Sequence, residues 1–208
     1  MITASRYRIT ARELLQTIEN WEHLINFKVN LIGCGGTALT LLEIKDSTKD
    51  IDFIVPVDKE YEKLIKFLWS IGYEEKGGGL AHQDDPYFLY QFWVGNRVFT
   101  TDLLDSPLDP GKNIPIKKWR HIYLGALNLQ DLIITKMFRG MKVDVDDCVA
   151  AFITFEIDLE ELFERYAEAA KYDLNPEKMM QNFIVFVEAL LEKGVVTRSF
   201  LEKVAVYK

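Results

Sequence analysis

Residues 30–56 of this 208-residue chain contain its most informative pattern. Their sequence is Asn30-Leu-Ile-Gly-Cys-Gly-Gly-Thr-Ala-Leu-Thr-Leu-Leu-Glu-Ile-Lys-Asp-Ser-Thr-Lys-Asp-Ile-Asp-Phe-Ile-Val-Pro56. Its pattern predicts an apolar strand that ends at Gly33, a tight turn at Gly35 and Gly36, and a short helix from Thr37. The backbone N–H groups of such a glycine turn can approach an anion closely, and the helix N-terminus adds a positive dipole. The turn is therefore a predicted phosphate site.

A pair of carboxylates opens the next predicted strand. Asp50 and Asp52 flank Ile51, so the two-residue period of a strand places both carboxylates on one face. Mg²⁺ prefers oxygen ligands and is often bound by one or two carboxylates together with substrate phosphates. A phosphate turn followed by a carboxylate pair predicts a site for a nucleoside triphosphate with Mg²⁺ or Mn²⁺.

Gly35-Gly36-Thr37 followed by Asp50-Ile51-Asp52 resembles the signature of the nucleotidyltransferase superfamily, which has the DNA polymerase β-like fold. The wider strings Gly-Gly-Thr-Ala-Leu and Ser-Thr-Lys-Asp-Ile-Asp-Phe are most similar to its abortive-infection toxin group. That group often has Arg before the Thr-Lys-Asp-Ile-Asp run, where this chain has Asp46. The resemblance implies metal-dependent transfer of a nucleoside monophosphate from a triphosphate to a hydroxyl on RNA, protein or a small molecule.

The resemblance also implies roles for individual residues. Gly35, Gly36 and Thr37 would bind the nucleotide phosphates. Asp50, Asp52 and a third carboxylate would be the catalytic, metal-binding residues. Asp102 fits the third position best, because Thr101-Asp102-Leu103 lies in a strand predicted after the Gly95-Asn96 turn. The alternatives are that Asp102 caps the turn before Pro107, or that Asp105 is the third carboxylate.

Lys136 lies on a helix predicted from Asn128 to Arg139. By the resemblance it would contact the nucleotide phosphates. The alternative is an ordinary salt-bridged pair of helices, with Asp144 and Asp147 on one face of the next helix.

Other interpretations of the glycine turn remain open. Gly33, Gly35 and Ala38 satisfy the dinucleotide-binding pattern, but the helix is too short for a usual parallel crossover. A Walker P-loop is excluded, since no Gly-Lys-Ser/Thr follows. The turn could also lie beside a merely solvated acidic loop. At the level of function, the alternatives are a toxin with an antitoxin-like protein partner and a non-catalytic nucleotide-binding module.

Composition narrows the class of protein. The chain is 49% hydrophobic, which is typical of globular proteins, and its formal net charge of −7 disfavours broad, nonspecific nucleic-acid binding. Cys34 and Cys148 are far apart and indicate reduced thiols in a cytoplasmic protein. No signal peptide is evident, and no apolar stretch is long enough for a membrane.

The predicted fold class is α/β or α+β. A small mixed sheet of about four or five strands flanked by helices is expected over residues 1–125, with a helical region over residues 126–208 packed on it. Residues 74–85 carry a triple glycine and predict a mobile loop, in which the glycines form a hairpin or a flexible connection. A second phosphate loop is the alternative, although no helix follows the glycines. A further loop, rich in proline and glycine, is predicted from Ser106 to Pro115. The nucleotidyltransferase resemblance is expected to be absent beyond about Asp147.

Overall fold

The computed structural model describes residues 7–206 and divides the chain into two compact units. The first unit contains the chain up to Phe99 together with Asp105–Asn128, and the second contains Thr100–Leu104 and the chain from Leu129 onward. Among the described residues, no helix combines the length and apolar character needed to cross a membrane.

The described strands are short except for one of ten residues. They are β1 (Ile9–Thr10), β2 (Val29–Gly33), β3 (Ser47–Thr48), β4 (Asp50–Val55), β5 (Tyr73–Lys76), β6 (Gly79–His82), β7 (Asp85–Val94), β8 (Arg97–Val98), β9 (Thr101–Asp102), β10 (Asn113–Lys118) and β11 (Ile122–Leu127). Seven of them form one mixed sheet in the order β10-β11-β2-β4-β7-β6-β5. The pairs β11/β2 and β4/β7 are parallel, and the other neighbours are antiparallel. The predicted mixed α/β fold is confirmed.

The sheet is larger than expected because two segments predicted as loops are strands. Residues 74–85 are not a mobile loop, since β5 and β6 pair as a hairpin, which confirms the hairpin predicted at the triple glycine. Gly77 and Gly78 both have positive φ, as a two-residue turn between such strands requires. The second segment is β10, which begins at Asn113 inside the predicted loop and pairs with β11.

The remaining elements of the first unit are α1 (Ala11–Glu22), α2 (Gly35–Leu41) and α3 (Asp58–Ser70). Apolar stripes of α1 and α3 share a buried core with alternate residues of β4, namely Ile51, Phe53 and Val55. The alternation leaves Asp50 and Asp52 on the other face of β4. The sequence favours Asp58 as the N-cap of α3, but Asp58 is its first helical residue and Val57 is the N-cap.

The strand predicted from Arg97 to Leu104 is interrupted. Phe99 has a φ of +54°, a left-handed conformation that an extended strand cannot contain. The chain therefore forms the two short strands β8 and β9 in place of one long partner for β7.

The second unit is mainly helical. Its helices are α4 (Leu129–Arg139), α5 (Lys142–Phe155), α6 (Leu159–Ala170), α7 (Pro176–Glu192) and α8 (Arg198–Ala205). Their apolar faces form one core, in which the rings of Phe138, Tyr166 and Phe183 are in contact. Asp158 and Asn175 cap α6 and α7 with their side chains, as the sequence predicted.

Candidate functional site

The glycine turn lies directly against one carboxylate of the pair. Gly35 has a φ of +54°, and a Cβ atom added to it would be 3.2 Å from Oδ2 of Asp52. The backbone N–H of Cys34 donates to the carbonyl oxygen of Asp52 at 3.0 Å. The missing side chain of Gly35 therefore leaves a space lined by the turn on one side and the Asp52 carboxylate on the other.

Thr37 fixes the main chain of the carboxylate pair to α2. Its Oγ1 accepts a hydrogen bond from the backbone N–H of Asp52 at 2.9 Å and donates to the carbonyl oxygen of Asp50 at 3.3 Å. Thr37 is fully buried. The hydroxyl of Thr37 therefore holds the main chain of Asp50 and Asp52 against α2.

Thr48 is a part of the site that the sequence analysis missed. Its Oγ1 donates to the Asp50 carbonyl oxygen at 2.9 Å, so this oxygen accepts from two threonine hydroxyls. A Cβ atom on Gly36 would come within 2.5 Å of Thr48 Oγ1, which only glycine avoids. The available signal was a hydroxyl residue two positions before Asp50.

The two carboxylates differ in exposure. Asp52 is only 5% exposed, whereas Asp50 lies at the exposed start of β4. The parallel neighbour β7 places Gln91 opposite Asp52 in the register, so Gln91 lies on the same face of the sheet. Sequence reasoning did not single out Gln91, although a polar residue inside an apolar strand is a usable signal.

The donor set suits a hard divalent cation bound together with a phosphate. Asp50 and Asp52 supply carboxylate oxygens, and the Gly35 turn leaves space beside one of them. Within residues 7–206, no group of three or more His, Cys, Asp or Glu side chains could hold a metal ion. Two carboxylates from one strand are compatible with Mg²⁺, which usually takes its remaining ligands from water and substrate.

The candidates for the third carboxylate lie in different units. Asp102 belongs to β9 in the second unit, where it is exposed, and its metal-binding role stays a prediction. Asp105 belongs to the first unit and forms an ion pair with Lys112 at 2.8 Å.

Lys136 lies in a buried cluster of charged residues in the second unit. Its Nζ is 2.8 Å from Oδ2 of Asp147 and 3.3 Å from Oδ1 of Asp144, and the side chain is 4% exposed. Arg139 Nε donates to Asp144 Oδ2 at 2.8 Å. These contacts are those of the salt-bridged helix pair, and a phosphate contact by Lys136, which stays a prediction, would compete with them.

The charged cluster also sets the titration of Asp144. Burial by itself would raise the pKa of this carboxyl group. The hydrogen bond from Arg139 and the positive charges of Lys136 and Arg139 outweigh burial and hold the pKa below its ordinary value. The carboxylate of Asp144 therefore stays ionised to a lower pH than that of an ordinary aspartate.

Strand direction decides against the dinucleotide-binding interpretation. The first two strands of a dinucleotide-binding unit are parallel. Here β2 and β4, the strands on either side of α2, pair antiparallel, with Ile32 opposite Ile54 and Gly33 opposite Phe53. The glycine turn therefore does not belong to a Rossmann unit.

One family model matches part of the chain. Residues 113–193 match the model of a family described as "nucleotidyltransferase of unknown function (DUF6036)". The resemblance to the nucleotidyltransferase superfamily is confirmed. This match extends to residue 193. The prediction that the resemblance is absent beyond about Asp147 is therefore wrong. The abortive-infection subgroup stays a prediction.

Several solved structures are similar to the nucleotidyltransferase-like chain. A crystal structure of ANT(2″)-Ia in complex with adenylyl-2″-tobramycin has a TM-score of 0.49 at 12% identity and covers 78% of this chain and 96% of that chain. A solution structure of ANT(2″)-Ia has a TM-score of 0.45 at 13% identity, with coverage of 74% and 85%. An antigenic nucleotidyltransferase-like protein from Paracoccidioides brasiliensis has a TM-score of 0.45 at 11% identity, with coverage of 83% and 94%. No curated protein matches the chain.

Proposed function

We propose that the chain is a metal-dependent nucleotidyltransferase that moves a nucleoside monophosphate from a nucleoside triphosphate to an acceptor hydroxyl on RNA, protein or a small molecule. The observation that carries the proposal is the Gly35 turn against the Asp52 carboxylate, with 3.2 Å between the added Cβ position and Oδ2. This arrangement offers backbone N–H groups and a carboxylate side by side, which a metal–triphosphate complex requires. The nucleotidyltransferase family match supports the same activity.

The residues divide the task between phosphate and metal. The backbone of Gly35, Gly36 and Thr37 would bind the phosphates, while Asp50 and Asp52 would hold Mg²⁺ or Mn²⁺. The third carboxylate, predicted at Asp102, is tested below. When bound, the cation neutralises charge on the triphosphate as pyrophosphate leaves. Asp102 accepts the proton of the acceptor hydroxyl, directly or through water.

A second candidate function is a nucleotide-binding module without turnover. It is favoured by the absence, among residues 7–206, of a cluster of three metal-binding side chains. A toxin with an antitoxin-like partner would use the same activity, and its support is the Ser-Thr-Lys-Asp-Ile-Asp-Phe string. A cytoplasmic location rests on the two buried free cysteines.

The decisive test compares two aspartates of the same segment. Asp52→Asn keeps the shape of the side chain but removes its charge, so transfer of a radiolabelled α-phosphate to the acceptors of a cell extract should fall roughly a thousandfold. Asp46→Asn is the matched control, because Asp46 is exposed on the loop before β3. It should change the rate by less than about twofold. Equal losses in both variants would remove Asp52 from the mechanism.

Binding is measured separately by calorimetric titration of ATP, GTP, CTP and UTP with and without Mg²⁺. The nucleotidyltransferase proposal requires tighter binding with the cation. Equal affinity in both conditions would indicate a simple anion site. Cation-dependent binding without label transfer to any acceptor would favour the non-catalytic module.

The third carboxylate is tested by a similar pair of variants. Asp102→Asn should reduce label transfer by a factor comparable to that of Asp52→Asn. Asp105→Asn should cost less than about threefold, because it removes only a partly exposed ion pair with Lys112. The reverse order of effects would make Asp105 the third carboxylate.

A further inference from the structure

A small two-stranded sheet covers the loop that leads into the carboxylate pair. In it, β1 pairs antiparallel with β3, with Ile9 opposite Thr48 and Thr10 opposite Ser47. Each strand has only two residues. A ladder of this length is marginal by itself, so its position depends on further contacts.

Arg8 supplies such contacts. Its Nε donates to Ser47 Oγ at 2.9 Å, and its Nη2 donates to the carbonyl oxygen of Ser47 at 2.6 Å. The guanidinium of Arg8 therefore donates hydrogen bonds to both the side chain and the main chain of Ser47. The planar, forked donor set of arginine fixes a partner in orientation as well as in distance.

The residue after Ser47 connects this contact to the nucleotide site. Thr48 contacts Gly36, where a Cβ atom would be 2.5 Å from Thr48 Oγ1, and the same hydroxyl donates to the Asp50 carbonyl oxygen. A shift of β3 would therefore move Thr48 away from the glycine turn and from the start of β4. The chain of contacts runs from Arg8 through β3 to the residues proposed to bind phosphate and metal.

We propose that Arg8 is a positioning residue of the nucleotide site, a role that rests on the proposed function. Arg8 acts through its two hydrogen bonds to Ser47. It holds β3 in register, so that Thr48 keeps the Gly36 backbone and the Asp50 carbonyl in place. Its loss should loosen the glycine turn and the start of β4 without unfolding the unit, because the core formed by α1, α3 and the sheet does not include Arg8.

The test uses Arg8→Gln with Arg12→Gln as the matched control. Arg12 is an exposed cation in the first turn of α1, so its variant removes the same charge without touching β3. Arg8→Gln should speed amide hydrogen exchange of residues 35–37 and 48–52 by about tenfold. It should also raise the Kd of the most tightly bound Mg–nucleoside triphosphate by about fivefold. Arg12→Gln should change neither quantity.

Two further variants define the mechanism. Ser47→Ala removes one of the two acceptors of Arg8. The double variant Arg8→Gln with Ser47→Ala should have the same Kd and exchange rates as Arg8→Gln alone, because both changes disrupt the same Arg8–Ser47 interaction. Arg8→Lys keeps the charge but not the fork and should restore only part of the lost affinity.

The possible outcomes separate the positioning role from the proposed function. Equal rates of amide hydrogen exchange in the Arg8 and Arg12 variants would overturn the proposal that Arg8 holds β3 in place. Faster exchange with an unchanged Kd would leave Arg8 a structural role and overturn its role in positioning. A wild-type protein that binds none of the four Mg–nucleotides would overturn the proposed function and the positioning role with it, while hydrogen exchange would still report on the Arg8–Ser47 contact.

Discussion

The two units of the chain each contain a pair of aspartates, and the surroundings of the pairs differ. In the second unit, Asp144 and Asp147 both form an ion pair with the Nζ of Lys136, and Arg139 donates a hydrogen bond to Asp144. In the first unit, the Asp52 carboxylate lies against Gly35, a backbone position without a side chain. The ion pairs of Asp144 and Asp147 tie two helices of the second unit together, whereas the Asp52 carboxylate lies against the backbone of a glycine turn.

This difference separates charged residues that stabilise the fold from charged residues that are available to bind a ligand. A buried ion cluster with good geometry holds helices together, and removing one member leaves an uncompensated charge. A carboxylate beside a glycine turn contributes little to stability, because glycine has no side chain that could pack against it. We therefore expect substitutions in the ion cluster of Lys136, Asp144 and Asp147 to affect mainly stability and substitutions around Gly35 to affect mainly ligand binding.

Lys136→Ala should have the largest effect on stability. It leaves two buried carboxylates without their shared cation, so the free energy of unfolding should fall by about 3–5 kcal/mol. Denaturation in urea measures this loss. The control is Lys142→Ala, which removes an exposed lysine at the start of α5 and should cost less than about 0.5 kcal/mol.

Lys136→Ala also tests the comparison itself. If stability is unchanged while Mg–nucleotide affinity drops, Lys136 acts on phosphate, and its cluster is not the purely structural counterpart described above. Loss of both would mean that one lysine serves both purposes.

Gly35→Ala should have a smaller, more selective effect, and Gly77→Ala is its matched control. Both glycines have a φ of +54°, but nothing lies within 4 Å of a Cβ atom on Gly77. Each variant should therefore lose about 1–2 kcal/mol of stability from the left-handed backbone alone. Only Gly35→Ala fills the space beside Asp52, so only this variant should weaken Mg–nucleotide binding, by about tenfold in Kd. Equal Kd values for the two variants would show that the space is not used.

The smallest effect should appear in the pH dependence of stability. Because the pKa of Asp144 is lowered in the folded protein, its contribution to stability is present above about pH 4 and is lost as the pH falls through the folded pKa. Arg139→Gln removes the hydrogen bond that lowers this pKa. The difference in unfolding free energy between wild type and Arg139→Gln should therefore be larger at pH 6 than at pH 3, measured by denaturation at both values. A constant difference would exclude Asp144 as its source.

The Gly35–Asp52 arrangement could be predicted because its members are close in sequence and obey local rules. The period of a strand places Asp50 with Asp52, and a glycine turn followed by a helix needs no distant partner. Arg8 could not be predicted, since its contact with Ser47 joins separate parts of the chain, and a two-residue strand leaves no periodic pattern. For Lys136, spacing indicated its partners but could not supply its burial.

The same limit applies to the edges of the sheet. The triple glycine is compatible with both a loop and a hairpin, and only pairing of β6 with β7 decides between them. In the same way, β10 exists because β11 is beside it, and its sequence contains Pro115, which weakens any strand signal.

The main chain at Asp52 is tied on both sides, by its N–H to Thr37 Oγ1 and by its carbonyl oxygen to the N–H of Cys34. Neither bond involves the carboxylate. A protein altered only at that carboxylate should thus keep the backbone of the native site while its cation binding and its chemistry stop. Such a variant, immobilised on a resin beside the wild type, separates the molecules of a cell extract into two groups: those held through the cation are retained by the wild type alone, and those held by the backbone are retained by both.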